Sequence, residues 1–187
     1  MGRIRKNRKG FTLIELIVAI GIMLILAAVA TPFLLTHIKN AKVSNLNEQI
    51  LNVKSAFDSW YTAKGGLLPE SDDDEANPTG NHLDDMVTDG WLSSDPSGKN
   101  NLNWYVRRFK DEDQGSYYID VIEVVSDNSD GRDYLADIVG QLDEIIDGTD
   151  NGTEGVFRYC TADSVAKFRF MLRKDSSYAD NWDPSCS

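Results

Sequence analysis

A long apolar run near the amino terminus constrains this chain more than any other feature. Every residue from Leu16 to Ala30 except Gly21 is hydrophobic, within an apolar segment that covers residues 11–35. As a helix rising about 1.5 Å per residue, this segment is long enough to cross a bilayer core of about 30 Å. Glu15 is the anomaly, because a lone carboxylate inside such a segment costs at least about 2.5 kcal/mol unless it has a partner or a function.

The charge distribution predicts the orientation of this segment. Residues 1–10 include five basic residues and no acid, whereas the whole chain has a formal net charge of -11. By the positive-inside rule, the basic end stays in the cytoplasm and the acidic body lies on the other side of the membrane. Such an acidic body repels phosphate backbones, so we expect no nucleic-acid partner.

Three interpretations of the amino-terminal segment compete. The first is a cleaved secretory signal, since Ala28-Val-Ala30 matches an A-x-A cleavage site, although Glu15 would interrupt the apolar part of such a signal without benefit. The second is an uncleaved anchor that holds a single domain on the membrane. The third depends on a resemblance to a known family.

The motif Lys9-Gly-Phe-Thr-Leu-Ile-Glu-Leu16 resembles the processing site of type IV prepilins and type II secretion pseudopilins. The resemblance implies that residues 1–10 are a leader peptide and that a prepilin peptidase cuts between Gly10 and Phe11. The same enzyme would then methylate the new amino terminus at Phe11. Pro32 falls where family members commonly carry a proline that loosens the helix. The predicted precursor is a prepilin with an N-terminal methylation motif.

The chemistry of Glu15 favours the same interpretation. Cleavage would make the α-amino group of Phe11 a cation at the end of an apolar helix. A carboxylate four residues further on can neutralise that amine in its own or a neighbouring subunit, within a bundle of low dielectric constant. The resemblance implies the same role, in which Glu15 sets the axial register as subunits join a filament. A tolerated glutamate without a role is the alternative.

Beyond Pro32 the apolar residues are spaced alternately three and four apart, which predicts one packed face on a continuing helix. We expect a single helix over residues 11–64 that stops at Gly65-Gly66 and Pro69. Packing within the chain and a dimeric coiled coil are both compatible with this seam. The seam consists of Val43, Leu46, Ile50, Val53, Phe57 and Trp60.

The predicted fold class is α+β, with the long N-terminal α-helix packed on a small antiparallel β-sheet head. The pattern predicts a short helix from Asn81 to near Gly90, with Trp91 and Leu92 tucked onto the core. It also predicts a helix over residues 134–146, including Ile145 in its apolar stripe, after a turn at residues 127–133. Strands are expected at residues 102–106, 117–125, 156–161 and 166–173. The predicted domains are a cleaved leader at 1–10, a transmembrane and filament-core helix at 11–35, its amphipathic half at 36–64 and the head at 65–187.

Oxygen-bearing side chains around two glycines form a candidate cation site at residues 147–154. Carboxylate and amide oxygens are the ligands that Ca²⁺ prefers. The loop resembles helix-to-strand loops of pilin-like proteins, and the resemblance implies calcium because type II secretion pseudopilins hold it in a loop of comparable position. The alternative is a plain turn, since the loop lacks the twelve-residue EF-hand pattern. The candidate ligands are Asp147, Asp150, Asn151 and Glu154.

Cys160 and Cys186 both lie in the part of the chain that would be exported, where thiols oxidise. A single disulfide between them is the simplest interpretation, while free thiols and a bond between chains are alternatives. In type IV pilins, which this spacing resembles, a carboxy-terminal disulfide encloses a surface loop. Basic residues also alternate along the last strand at Lys167, Arg169 and Arg173, near Arg107, Arg108 and Lys110. A solvated face is the first interpretation of these residues, with a subunit contact or DNA as alternatives.

The sequence contains no nucleophile elbow, P-loop, dinucleotide fingerprint or zinc-protease motif, so we expect no enzyme. The predicted function is a structural subunit of a type IV pilus, with a type II pseudopilin or a minor tip pilin that binds a target as alternatives. The implied partners are copies of itself or other pilins, prepilin peptidase, and the inner-membrane assembly platform and motor. The precursor would span the cytoplasmic membrane once and then enter an extracellular filament or a periplasmic pseudopilus.

Overall fold

The computed structural model describes residues 10–66, 81–110, 118–148 and 152–174, together with Cys186. Within these ranges, the chain forms three α-helices and four strands. A 3₁₀ turn precedes the first strand. The elements are α1 (Leu13–Ala63), α2 (His82–Thr88), the 3₁₀ turn (Lys99–Asn101), β1 (Asn103–Lys110), β2 (Tyr118–Ser126), α3 (Ser129–Asp147), β3 (Phe157–Thr161) and β4 (Ala166–Lys174).

The chain divides into two compact units, with the boundary between Ala41 and Lys42. Helix α1 contributes to both units and continues without interruption through Pro32. It ends where predicted, because Gly65 and Gly66 adopt φ values of 73° and 79° that other residues rarely reach. Pro69, which was also expected to stop the helix, lies outside the described residues.

The predicted seam on the second half of α1 is buried. All six seam residues are at most 2% exposed and belong to the core of the second unit. They pack with apolar residues of α2, α3 and the sheet, so the seam is used within the chain rather than left for a coiled-coil partner. The class predicted from sequence, a long helix with a small antiparallel sheet, is confirmed.

The sheet is antiparallel throughout and has the strand order β1-β2-β4-β3. Apolar residues alternate along β4, where Ala166, Phe168 and Phe170 are all buried in the core. The pairing of β2 with β4 shifts register between Asp120 and Val121, which marks a β-bulge. Strand β1 pairs with β2 along its whole length, and their connection over residues 111–117 lies outside the described residues.

Helix α3 begins earlier than the sequence predicted. The side chain of Asn128 accepts a hydrogen bond from the Asp130 N–H at 2.9 Å, so Asn128 is the N-cap and the helix starts at Ser129. The expected turn over residues 127–133 is therefore mostly the first turn of a helix. Turn-forming and capping residues overlap in type, which explains the error. Gly131 is required here, because a Cβ at that position would lie 2.7 Å from the Asn101 carbonyl oxygen.

Two predicted core residues are exposed. Ile145 was assigned to the apolar stripe of α3 but is 60% exposed, while Asp143 on the same helix is fully buried. Trp91 was expected on the core with Leu92, yet Trp91 is 43% exposed and only Leu92 packs against the core. The first error arises because periodicity marks a face of a helix only to within about one residue. Trp91 follows α2 outside any periodic element, so no pattern specified which of the two neighbours would be buried.

Candidate functional site

The first half of α1 exposes large apolar side chains around its whole circumference. We call residues 13–38 the stem segment. Phe11, just before it, is 92% exposed, and Leu24 within it is 66% exposed. The described chain contains one helix that is long and apolar enough to cross a membrane, and its most apolar window has no buried residues. A helix that is hydrophobic all round is stable only in lipid or among other apolar surfaces.

The stem segment starts with a reciprocal helix cap. The Thr12 N–H donates to Glu15 Oε2 at 2.8 Å, and the Thr12 hydroxyl donates to the same oxygen at 2.8 Å. In return, the Glu15 N–H donates to Thr12 Oγ1 at 3.3 Å. This is a capping box, in which two side chains satisfy backbone N–H groups that the first turn leaves without partners. The carboxylate of Glu15 therefore has partners within its own chain.

Sequence reasoning missed this cap, although the signal was present. A threonine followed three residues later by a glutamate, just before an apolar run, is a known helix-start pattern. Gly10 and Phe11 are exposed and precede the helix, so the bond between them lies in a non-helical segment. Cleavage at this bond, methylation of Phe11 and the register role of Glu15 stay predictions.

Pro32 lies inside α1 and removes one backbone donor from the helix. Threonine hydroxyls bond to carbonyls on either side, from Thr36 to the Pro32 oxygen at 3.1 Å and from Thr31 to the Ala27 oxygen at 2.7 Å. Such bonds from threonine to a preceding carbonyl often accompany a bend. The predicted loosening of the helix at Pro32 remains a prediction.

The prediction of a solvated basic face holds only in part: two arginines share a buried carboxylate, whereas Arg173 is exposed. Glu123 on β2 is 2% exposed and lies between Arg107 on β1 and Arg169 on β4. Both guanidinium groups approach the carboxylate to 2.8 Å. Arg169 is itself 5% exposed, and its guanidinium lies 4.4 Å from the centre of the Phe109 ring. Burial, opposed by attraction to Glu123, lowers the pKa of Lys167 on the same strand as Arg169.

A second ion pair joins β1 and β2. Arg108 donates from two nitrogens to Asp120, at 2.6 and 2.8 Å. Burial lowers the pKa of Arg108, but the hydrogen bonds and the attraction of Asp120 outweigh it and raise the pKa above its ordinary value. Arg173 lies over the Tyr61 ring of α1, 3.9 Å from its centre. These contacts join the strands to one another and to α1. Their partners could not be assigned from the sequence, because local patterns do not specify strand register.

The first carboxylate of the candidate calcium loop, Asp147, has a structural role. Asp147 Oδ2 accepts a hydrogen bond from the Phe157 N–H at 2.8 Å. A Cβ at Gly155 would lie 2.2 Å from the same oxygen, so the loop needs glycine there. Glu154 is exposed, while Asp150 and Asn151 lie outside the described residues. Among the described residues, no three His, Cys, Asp or Glu side chains form a metal-binding group, and calcium binding stays a prediction.

Asp143 of α3 supports the same loop, and sequence reasoning did not single it out. It is fully buried on α3, and its Oδ2 accepts from the Gly152 N–H at 3.0 Å. Its position four residues after Val139, on the apolar stripe, was the available signal. A carboxylate at such a position indicates a buried hydrogen-bond acceptor.

The predicted disulfide is confirmed. Cys160 of β3 bonds to Cys186, with their Cα atoms 6.0 Å apart and a sequence separation of 26 residues. Neither cysteine is free. The bridge ties the carboxy-terminal end of the chain to an outer strand of the sheet.

Comparison with known proteins agrees with these features. The family model described as the prokaryotic N-terminal methylation motif matches residues 5–31, which include the cap at Thr12 and Glu15 and most of the stem segment. The type IV narrow pilus major component PilA5 of Thermus thermophilus is 38% identical over 89 residues, covering 48% of this chain and 73% of PilA5. The chain belongs to the type IV pilin family. Fimbrial protein EcpB of Eikenella corrodens is 40% identical to this pilin over 61 residues, or 33% of the pilin and 38% of EcpB.

The match to this pilin thus covers well under half of the length of EcpB. No solved structure matches the pilin significantly. Membership places it in a family of structural proteins that assemble into filaments with other pilins. Its apolar amino-terminal helix is typical of a precursor anchored in a membrane.

Proposed function

We propose that this pilin is a filament subunit of a type IV pilus, which polymerises through the stem segment after a prepilin peptidase removes residues 1–10. The observation that carries the proposal is the stem segment itself. Its apolar side chains are exposed on all sides, and its first turn contains the capping box of Thr12 and Glu15. The proposed sequence is insertion in the membrane, cleavage, and transfer by the inner-membrane platform and motor into a bundle of similar helices.

The exposed apolar surface of the stem segment supports both the membrane stage and the filament stage of this proposal. Each Å² of apolar surface removed from water contributes about 25 cal/mol, so the free protein strongly favours lipid or another apolar helix. Leaving the membrane for a bundle of similar helices keeps these side chains out of water. The segment therefore suits two surroundings in turn, whereas a simple anchor would need only the first.

The capping hydrogen bonds of Glu15 support its proposed role at a new amino terminus. Its Oε2 lies 2.8 Å from the backbone nitrogen of Thr12, the residue that follows Phe11. Cleavage after Gly10 would add the ammonium group of Phe11 next to this carboxylate. An ion pair in an apolar bundle is specific in geometry, because an unpaired charge there is costly. We propose that Glu15 receives the amine of its own or of a neighbouring subunit and so sets register.

A pilus subunit is favoured over a pseudopilin by two observations. PilA5, the relative with 73% of its length covered, is named as a major pilus component. The carboxy-terminal cysteines form a disulfide, as the resemblance to type IV pilins implied. A minor tip pilin remains a second candidate. Abundance separates the two, because a major subunit dominates a sheared filament preparation and a tip pilin is nearly absent from it.

Intact mass and amino-terminal sequencing of the exported protein test the processing step. We expect a terminus at methylated Phe11. A terminus at Thr31 would instead indicate ordinary secretion after Ala30, and retention of Met1 would indicate an uncleaved anchor. Either of these two results would overturn the proposal.

A three-variant series separates the charge of Glu15 from its capping role. Glu15→Gln keeps a side chain that can complete a capping box but removes the charge, whereas Thr12→Ala removes the capping hydroxyl and keeps the charge. Glu15→Ala removes the charge and also the side chain of residue 15 from the capping box, while the Thr12 hydroxyl stays in place. Filament yield after shearing is measured for each variant, alongside the amount of pilin in the membrane.

We expect both Glu15 variants to accumulate in the membrane without forming filaments, and Thr12→Ala to assemble. The loss of the cap costs only about 1 kcal/mol at the helix start. Native filament yield from Glu15→Gln would show that capping alone explains the glutamate. That result would refute the register role while leaving the filament assignment intact.

A further inference from the structure

A polar groove lies between the second half of α1 and the segment that follows α2. Its volume is about 540 Å³, within the range of about 300–1,000 Å³ typical of small-molecule sites. One wall is the face of α1 from Gln49 to Ser59, and the other is the segment from Trp91 to Lys99. All of these residues belong to the second compact unit.

Both walls are held in place by buried neighbours, so the groove exists before any ligand arrives. In the helical wall, Val53 is 2% exposed and Ala56 is 8% exposed. In the other wall, Pro96 is buried and Leu92 packs against the core. The N–H groups of Trp91 and Leu92 both donate to the Met86 carbonyl, at 2.9 and 3.1 Å. A preformed site saves the ordering cost that a mobile loop would add on binding.

The chain around Lys99 adopts an unusual backbone. Asn100 and Asn101 both have φ of 57°, a left-handed conformation that asparagine adopts more readily than other residues with a side chain. The Ser126 hydroxyl holds this turn by donating to the Asn101 carbonyl at 2.9 Å. This turn fixes the backbone next to the groove's charged residue, Lys99.

The lining combines one exposed aromatic ring, one cation and many uncharged hydrogen-bonding groups. Trp91 is 43% exposed and offers a broad apolar face, although it stands beside polar side chains. Lys99 is exposed and is the charged residue among those that line the groove. The uncharged polar residues are Gln49, Asn52, Ser55, Ser59, Ser93 and Ser94.

This lining matches the chemistry of a sugar. Serine hydroxyls and amides both donate and accept hydrogen bonds, as sugar hydroxyls do. The face of an indole is electron-rich and packs well on the weakly positive C–H face of a pyranose ring. Within α1, the Ser59 hydroxyl already donates to the Ser55 carbonyl and the Gln49 amide to Asn45. An apolar partner would still remove water from the other hydroxyl and amide groups of the lining, which is costly. A phosphate-rich ligand would require more than one cation.

We propose that the groove binds a short saccharide, with one ring stacked on Trp91 and its hydroxyls bonded to the serine and amide side chains. Lys99 gives a preference for a sugar that carries a carboxylate. The groove lies in the second unit and uses no residue of the stem segment, so the proposal does not depend on the filament assignment.

Binding is tested with the full-length protein in micelles of lauryldimethylamine oxide, because glycosidic detergents would compete for the groove. Sialyllactose is the acidic probe and lactose the neutral one. Saturation-transfer NMR and a titration of tryptophan fluorescence report contact and affinity. We expect saturable binding of sialyllactose with a dissociation constant of about 1 mM or tighter. Absence of saturable binding by either sugar would overturn the proposal.

Three variants locate the site. Trp91→Ala should weaken binding by at least about tenfold, since it removes the stacking surface. Ile145→Ala is the matched control, because it removes an apolar side chain that is 60% exposed and does not line the groove. Lys99→Gln should bring the affinity for sialyllactose down to that for lactose. Unchanged affinity in Trp91→Ala, or equal loss in Ile145→Ala, would contradict the proposal.

Ser94→Trp gives an independent test by filling the groove while Trp91 stays in place. We expect this variant to lose sugar binding, to keep the melting temperature of the native head and to form filaments. If it instead blocks filament assembly and the native unassembled protein binds neither sugar, a second copy of the pilin occupies the groove. That combination refutes the saccharide.

Discussion

The two halves of helix α1 place similar side chains in opposite surroundings. Phe33 in the stem segment is 67% exposed, whereas Phe57, further along the same helix, is fully buried. The difference follows from spacing. Apolar side chains point outward on all sides of the stem segment, so packing along one face would leave most of them exposed. The seam is a single stripe, and the rest of the second unit buries it. A stripe indicates packing within the chain, and a fully apolar circumference indicates lipid or another copy.

The largest expected effect comes from one substitution made in each half of α1. Phe57→Ala should lower the free energy of unfolding of the head by about 3–5 kcal/mol, because it empties a buried site. Phe33→Ala should change it by less than about 0.5 kcal/mol, since the side chain is exposed in the free protein. Urea titration followed by near-ultraviolet circular dichroism in micelles measures both. Equal destabilisation by the two variants would contradict the assignment of separate surroundings.

Loss of the disulfide should affect the head and leave the stem segment unchanged. Replacing both cysteines, Cys160→Ser with Cys186→Ser, should cost roughly 3–4 kcal/mol of head stability on the loop-entropy model. The helical signal of the stem segment in micelles should not change. Melting with and without a reducing agent gives the same comparison in the native protein. A melting point that does not respond to reduction would show that the bridge does not stabilise the head.

The charges of the two regions allow a third comparison. Glu123→Ala should cost about 2–3 kcal/mol, because it leaves two largely buried arginines without their carboxylate, discounted for the partial exposure of Arg107. Glu15→Ala should leave head stability unchanged, since its partner is Thr12. Unfolding curves of the two variants measure this difference. A head insensitive to Glu123→Ala would mean that the ion pairs are compensated by water.

The smallest expected effect is a pH-dependent change in stability at Asp89, which contacts the end of the buried half of α1. The hydrogen bond from Lys64, followed by that from the Trp60 indole, lowers the pKa of Asp89 below its ordinary value of 3.8. Because the pKa is lowered on folding, Asp89 contributes stability at pH values above 3.8, and this contribution is lost as the pH falls through the folded value. Asp89→Asn should therefore lower the melting temperature slightly at pH 7.

The gap between native protein and Asp89→Asn should close in strong acid. Asp58→Asn is the matched control, since Asp58 forms an exposed ion pair with Lys54 on the same helix. Surface pairs of that kind contribute little, so we expect a smaller effect of Asp58→Asn at pH 7. A gap for Asp89→Asn that stays constant from pH 7 to strong acid would show that ionisation of Asp89 is not its cause.

Most elements of the fold could be predicted from local patterns. The helix seam, the glycine pair that ends α1, and the antiparallel strands were all found from periodicity and turn residues. The errors occurred where one local signal has two meanings. Residues 127–133 contain residues that suit both turns and caps, and only the hydrogen bond at Asn128 distinguishes the two.

The candidate sites were predicted unevenly. The motif around Gly10 and Phe11 was evident because its residues are contiguous, and the disulfide followed from two cysteines in the part of the chain predicted to be exported. The partners of the basic residues were missed. Glu123 meets Arg107 and Arg169 through strand pairing over long sequence separations, and a one-residue change of register would move each side chain to the other face.

The sequence alone therefore determined that this chain carries an N-terminal methylation motif, a helix that is apolar on all sides, and a helical seam beyond it. Those properties depend on composition and short-range spacing. Only the tertiary structure decided which charges are neutralised, which stripe residues are buried, and that residues 49–59 and 91–99 enclose a polar groove. These depend on strand register and on contacts between distant segments, which no local pattern specifies.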